Sequence, residues 1–407
     1  MIPVQEAYEI ILSSVKPQTK KENVNLLDAF NRFLAEDITA SFNVPPKDNS
    51  SMDGYAVLFS DIEKAGEDRP VILKIDHEIR AGGESNGKPV QSGYAVRIMT
   101  GAAVPDGADV IIPFENTEEK GDSVIIRKAF ARYEHVRFAG EDIKKGEKVL
   151  TKGTKIDSAE IGLLASMNFA EVPVMKRPEV AILSTGDEIL EPGNENPGDK
   201  IYNSNAYVLY SEVKKYGGNP HYAGIVRDDK DKVLEKFKEL LNYDIIISSG
   251  GVSMGRYDFI PDVLKKLGVE IKIKSILMKP GKPVVFGVIG DRLFFGLPGN
   301  PVSSMVSFNK FVKPSLLKIS GSGKINNPVI QAITTEDLNK QKGRRNFLRG
   351  IFSLNNGIFT VKSTGLQSSG ILTSMSRANC LIDIPEEAEH ISAGETVNIE
   401  LIKYGEI

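Results

Sequence analysis

The stretch Asp244-Ile-Ile-Ile-Ser-Ser-Gly-Gly-Val-Ser-Met-Gly-Arg-Tyr-Asp258 decides the fold. A short β-branched strand runs into paired glycines and then toward a helix that carries Phe259, Ile260, Val263, Leu264 and Leu267 at helical spacing. That order puts backbone N–H groups at a strand's carboxyl end, where open α/β sheets bind anions. The same order recurs twice. Val180-Ala-Ile-Leu-Ser184 ends in Thr185-Gly-Asp-Glu188, and Leu293-Phe-Phe295 ends in Gly296-Leu-Pro-Gly-Asn-Pro301. Three strand-end loops are therefore expected around one phosphate-binding crevice. Asn300 as N-cap and Pro301 as first helical residue add a helix N-terminus to the same edge. Each element also has a plain structural use: paired glycines serve any tight turn, and Asn-Pro starts any helix.

Residues 178 to 318 alternate strands and helices. Asn205 is read as the cap of a helix with Ala206, Leu209, Tyr210, Val213 and Tyr216 on one face, stopped by Gly217-Gly218. Asp228-Asp229 open another, with Val233, Leu234, Phe237, Leu240 and Leu241 inward. This is the pattern of a doubly wound, mostly parallel sheet in an α/β multidomain chain. Around it the texture changes. Val4, Ala7, Tyr8, Ile11 and Leu12 follow helical spacing, as do Leu27, Phe30, Phe33 and Leu34. From Val44 to Asp142 short apolar runs separated by Gly82-Gly83, Pro105-Asp-Gly107 and Gly121-Asp122 read as a β-rich module. Residues 143 to 177 return to mixed helical character, with Ile161, Leu164, Ala165 and Asn168 on one helix, and make the β module an insertion. Gly321-Ser-Gly-Lys324 lacks the strand and spacing of a P-loop and reads as linker. Asn355-Asn-Gly357 marks a hairpin in a small C-terminal β domain. The expected domains are 1–43 with 143–177, 44–142, 178–322 and 323–407.

The composition excludes several function classes. The 407 residues are 41% hydrophobic and 26% charged, and 54 acidic against 51 basic residues give a formal charge of -3. Nothing global favours nucleic acid or an anionic membrane, so any anion must be held locally. Cys380 is the only cysteine, and the four histidines show no metal-ligand spacing, which argues against disulfides and zinc. The N-terminus lacks signal-peptide character and no apolar run reaches membrane-spanning length. A cytoplasmic location is expected.

Two groups of charges point to chemistry. Lys279-Pro-Gly-Lys282 sets two cations around a turn, either as solvated lysines or as counter-charges to an oxyanion or pyrophosphate. Asp187, Glu188, Asp228 and Asp258 fall at loops leaving strands or entering helices, where each could cap a helix. Acids beside a phosphate would repel it unless a hard divalent cation lay between them, which implies Mg²⁺.

Asn49-Ser-Ser-Met-Asp-Gly-Tyr-Ala56, Arg97-Ile-Met-Thr-Gly-Ala102, Gly140-Glu-Asp-Ile143, Ser184-Thr-Gly-Asp-Glu188, Ser249-Gly-Gly-Val-Ser253, Met278-Lys-Pro-Gly-Lys-Pro283 and Leu297-Pro-Gly-Asn-Pro-Val302 form an ordered series along the whole chain. The series resembles the molybdopterin molybdenumtransferases, the family of MoeA and the gephyrin E domain. The resemblance implies four domains and a reaction in which molybdate and adenylylated molybdopterin enter, molybdenum is placed on the dithiolene, and AMP is released. It assigns Asp187, Glu188, Gly250, Gly251, Ser253 and Asp258 to the nucleotide and Mg²⁺ side, with Glu188 and Asp258 as metal-holding acids, and the clustering of carboxylates adds Asp228 to the cofactor-binding set. Lys279, Lys282, Pro298 and Pro301 fall nearer molybdate. Asp53, Thr100 and Asp142 complete the cleft from the partner subunit of a homodimer, and Arg349, Ser368 and Ser369 contribute from the C-terminal domain. Lys47 departs from the usual apolar residue of its segment. A molybdopterin adenylyltransferase is the implied pathway partner. The alternatives are a molybdopterin adenylyltransferase or nucleotide hydrolase built on the same central fold, and a gephyrin-like binding scaffold. Molybdate and tungstate, alike in charge and shape, both suit such a site.

Overall fold

The computed structural model describes residues 1–83, 87–195, 198–252 and 260–403. They form two compact units: Met1–Glu36, Lys152–Asp157 and Glu171–Ile407 in one, Asp37–Thr151 and Ser158–Ala170 in the other.

At the heart of the larger unit is a six-stranded mixed sheet built from β1 (Glu179–Thr185), β2 (Asn219–Val226), β3 (Ile245–Ser249), β4 (Glu270–Ile273), β5 (Val285–Ile289) and β6 (Arg292–Leu297), in the order β2-β1-β3-β6-β5-β4. Pairings β2–β1, β1–β3 and β3–β6 are parallel, and β5 is antiparallel to both its neighbours. Helices α1 (Ser204–Lys215), α2 (Lys230–Glu239), α3 (Ile260–Lys266) and α4 (Pro301–Ser307) cover it. The side-chain period of two divides each buried strand between two cores. Val180, Ile182, Ile245, Ile247, Leu293 and Phe295 pack with Leu209, Val213, Val302 and Val306 of α1 and α4. Ala181, Leu183, Ile246 and Phe294 pack with Val233 and Phe237 of α2 and with Val263 and Leu264 of α3. Strands sandwiched in this way read as continuous apolar runs, which is why Ile245-Ile-Ile247 shows no alternation.

The chain leaves β1 toward β2 on one side and later leaves β3 toward β6 on the other. The carboxyl ends of β1 and β3 are thus a topological switch point, where such sheets open a crevice. The strand ends are level there: Ser184 pairs with Ser249, and Ser249 with Leu297.

The N-terminal helix Val4–Ser14 adds Val4, Ala7 and Ile11 to the first of these cores. The helical spacing of residues 27 to 34 does not produce a helix. Leu26–Asp28 is a single 3₁₀ turn, Leu27 and Phe30 are exposed, and Asn31 adopts a positive φ of 60° that ends any helical continuation. Phe33 and Leu34 instead bridge to Lys155 and Val174. Strands Val329–Thr334, Arg345–Asn355, Ile358–Ser363, Cys380–Ile384 and Thr396–Leu401 close on themselves as a five-stranded barrel. Its hairpin turns at Asn356 and Gly357, both at positive φ, as the Asn-Gly signal anticipates.

A buried polar network fastens this barrel to the helical segment after α4. Lys310 Nζ donates to Glu400 Oε2 at 2.8 Å, and Asn327 Nδ2 donates to Glu400 Oε1 at 3.0 Å. Lys313 Nζ donates to Asn327 Oδ1, and burial pushes its ammonium down to about 8.

The smaller unit holds a six-stranded sheet in the spatial order Val110–Pro113, Gly54–Val57, Tyr94–Ile98, Val71–Ile79, Ser123–Ile126 and Thr117–Lys120, followed in sequence by the helix Ser158–Ser166.

Phe294 is buried in the second core with its ring edge-on to Phe237, centroids 4.8 Å apart. Phe294→Ala is expected to cost about 3–5 kcal/mol. The exposed Leu354→Ala is expected to stay within about 0.5 kcal/mol. Urea unfolding midpoints of the two variants check the difference.

Candidate active site

A cavity of about 700 Å³ opens at the switch point. All three strand-end loops line it: Thr185, Gly186 and Glu188 after β1, Ser249, Gly250 and Gly251 after β3, and Pro298 to Pro301 after β6. The paired glycines are there for backbone reasons. Gly250 and Gly251 have φ of +95° and +67°. A Cβ on Gly250 would meet Thr185 O at 2.6 Å, and one on Gly251 would meet Ile260 Cγ1 and Thr185 Oγ1 at 2.9 Å. At Gly250 a side chain would press on backbone, and at Gly251 it would press on two side chains from a left-handed conformation that favours glycine.

The amides available are fewer than the motif suggests. Gly250 N–H continues the ladder to Leu297 O at 3.0 Å, and Val302 N–H in the first turn of α4 donates to Ser369 O at 3.1 Å. Asn300 caps α4 through its carbonyl, which accepts from Ser304 N–H, and not through its side chain.

The acids separate by role. Asp229 caps α2, accepting from the N–H groups of Asp231 and Lys232, which leaves Asp228 as the member of the pair that lines the cavity. Glu188 lines it too, whereas Asp187 is exposed outside it. Ser253 and Asp258 lie outside the described residues. Among the described residues no group of three His, Cys, Asp or Glu side chains is placed to hold a metal. Two wall carboxylates suit a hard cation that draws its remaining ligands from a substrate's phosphates and water, and do not suit an all-protein cage.

A second cavity of about 360 Å³ is lined by Lys279, Pro280, Lys340, Asn346, Arg349 and Gln367, with Glu336 and Asp337. Both of its acids accept from backbone: Glu336 from Ser363 N–H at 2.6 Å and Asp337 from Ala393 N–H at 2.8 Å. Arg349 is inaccessible to solvent. Its guanidinium donates to Ser374 Oγ at 3.1 Å and Ser368 O at 3.2 Å, with no carboxylate partner among the described residues, and burial alone pushes it down to about 10. Lys279 is exposed and makes no ion pair among the described residues.

The two cavities share their boundaries. The turn Lys279–Pro283 gives Pro280 to the smaller and Pro283 to the larger, and the loop after Thr364 gives Gln367 to one and Gly370 to the other. Pro298 and Pro301 thus line the cavity of Gly250 and Glu188, while Lys279 lines that of Arg349, and Lys282 is exposed and lines neither. Ser368 and Ser369 enter through their carbonyls, which bind Arg349 and α4.

In the smaller unit Asp53 and Thr100 are joined. Thr100 N–H and its hydroxyl both donate to Asp53 Oδ1, at 2.7 and 2.8 Å, and hold that carboxyl below the usual range. Asp142 is exposed on the segment whose N–H bonds Val44 O.

The sequence reading took Asn205 for the cap of α1 and missed Asn203. The cap of α1 is Asn203, whose Oδ1 accepts from Ala206 N–H, while Asn205 turns its side chain into the cavity wall. Two asparagines competing for one cap were the available signal.

With this geometry in hand, three family models match in order: the MoeA N-terminal region (domain I and II) over residues 2–168, a probable molybdopterin binding domain over 181–318, and the MoeA C-terminal region (domain IV) over 331–402. The chain belongs to the MoeA family. It is 36% identical to the molybdopterin molybdenumtransferase of Bacillus subtilis, covering 99% of this chain and 94% of that one. It is also 36% identical to its counterpart in Haemophilus influenzae, covering 98% of each. A solved MoeA protein from Pyrococcus horikoshii OT3 superposes with a TM-score of 0.83 at 32% identity, over 99% of this chain and all of the other.

Cys380, enclosed in the barrel, is no nucleophile: burial pushes its thiol up to about 12. An alkylating reagent at pH 8 is expected to leave the folded protein unmodified and to label it once unfolded, as intact mass will show.

Proposed function

We propose that this MoeA family member is a molybdenum cofactor enzyme that transfers molybdenum from molybdate to adenylylated molybdopterin and releases AMP. The observation that carries the reading is the pair of adjoining cavities: one is lined by glycine loops and two carboxylates, the other by Lys279, Lys340 and the buried Arg349, with both of its acids engaged by backbone N–H groups. The larger suits the adenylylated, pyrophosphate-bearing substrate, with Glu188 and Asp228, and Asp258 beyond the described residues, toward Mg²⁺. Such an ion supplies charge neutralisation at the phosphoanhydride. The smaller suits the oxyanion, held by Lys279 and Arg349. The shared turn and loop keep the two anions side by side, which is what a reaction joining metal to dithiolene requires. Within the same proposal, the four-domain division stands, Asp53, Thr100 and Asp142 complete the site from the other subunit of a homodimer, and a molybdopterin adenylyltransferase supplies the substrate in the cytoplasm.

Incubating the protein with adenylylated molybdopterin, molybdate and Mg²⁺ should yield AMP together with molybdenum-loaded pterin. AMP appearing equally without molybdate or tungstate would favour a hydrolase instead. Glu188→Gln should lower the Mg²⁺-dependent rate by roughly 10- to 100-fold with folding intact, the scale typical of lost metal support; an unaltered Mg²⁺ titration would remove Glu188 from this role.

Arg349 gives an independent check. Because its folded pKa lies below its unfolded one, keeping it charged costs stability at every pH below about 10, and an oxyanion against it relieves that cost. Molybdate at 100 times its Kd should stabilise the protein by about 2.7 kcal/mol. Arg349→Met should raise the thermal midpoint without molybdate and abolish the response to it; equal responses in both proteins would place the oxyanion elsewhere.

A further inference from the structure

We infer that Asn205 is a positioning residue that holds the two glycine-bearing loops of the larger cavity at a fixed separation. Its Nδ2 donates one proton to Ser249 Oγ at 2.8 Å and the other to Gly299 O at 2.7 Å. Ser249 is the buried last residue of β3, and Gly299 follows β6, so a single amide joins the loops after two strands to the first turn of α1. All three residues line the cavity.

The bridge stands where the sheet no longer holds the loops. The last ladder bond between these chains is Gly250 N–H to Leu297 O. Beyond it Gly299 passes so close to Gly250 that a Cβ on Gly299 would reach the Gly250 Cα at 3.9 Å. Glycines with free backbone torsions hold no separation unaided. Folding of α1 does not need Asn205, because Asn203 already supplies the cap and accepts from Ser184 Oγ at 3.1 Å as well. The amide is also the group the place demands: the Gly299 carbonyl can only accept, an aspartate of equal size has no proton to give it, and a serine has one proton for two acceptors.

This role deepens the assignment of the larger cavity to the adenylylated substrate and rests on it. Asn205 acts through the loops, so losing it should weaken nucleotide binding and spare the response to molybdate in the neighbouring cavity. Calorimetric titration of AMP with Mg²⁺ into the full-length protein separates the possibilities. Wild type should bind, and Asn205→Asp and Asn205→Ala should bind roughly tenfold more weakly, the scale of two lost hydrogen bonds. Ser249→Ala should lose less, and the Asn205→Ala, Ser249→Ala double variant should be no worse than Asn205→Ala alone. In turnover, KM for the adenylylated substrate should rise with kcat held at saturation, since bound substrate draws the loops together. If wild type binds no AMP, the assignment of the cavity fails. If wild type binds and the Asn205 variants match it, the cavity assignment stands and the positioning role is wrong. Should the Asn205 variants not fold, Ser249→Ala decides, and AMP affinity unchanged by it overturns the role.

Discussion

The level registration of β1, β3 and β6 is the constraint on which the site depends. Parallel strands carry no turn that fixes their stagger, so the register here comes from burial: a one-residue slip would exchange the Val180 and Ala181 faces and put every strand residue into the wrong core. Because the two cores differ in size and shape, the register is held, and with it the common height of Ser184, Ser249 and Leu297. The loops that follow inherit that height. The three strand-end loops that line the larger cavity therefore take their positions from strand packing within the sheet.

Electrostatics then divides the work between neighbouring spaces. The larger cavity is lined by the carboxylates Glu188 and Asp228, whereas the acids of the smaller are engaged by backbone N–H groups and leave Lys279, Lys340 and the buried Arg349 as its cations. Such arrangements are held together by the rest of the fold until a ligand of opposite sign arrives. The arginine is the clearer case, since serine oxygens satisfy part of its hydrogen bonding but none of its charge.

How much of this the sequence disclosed depends on distance along the chain. The three strand-end loops were legible because apolar runs and Gly-Gly or Pro-Gly punctuation are local signals, and the barrel hairpin was legible at Asn355-Asn-Gly357 for the same reason. The meeting of Lys279 with Arg349 was not legible, since no local pattern relates residues 70 positions apart. Helical spacing at Leu27, Phe30, Phe33 and Leu34 misled because spacing records only where side chains would fall if the backbone were helical, and Asn31 breaks it. At the start of α1 the sequence reading chose Asn205 as cap, and only coordinates show that Asn203 is the cap while Asn205, in the first helical turn, turns its side chain to the cavity wall.

The network that ends at Glu400 bears on how modular this chain is. Glu400 belongs to the final strand, yet its partners Lys310 and Asn327 come from the end of the central domain and the segment after it. Cutting the chain at the linker would remove the carboxylate that Lys310 binds and whose charge supports the buried Lys313. The central domain therefore cannot be lifted out for crystallisation or gene fusion as though it were a free-standing cassette. A workable excision would have to redesign those two lysines first.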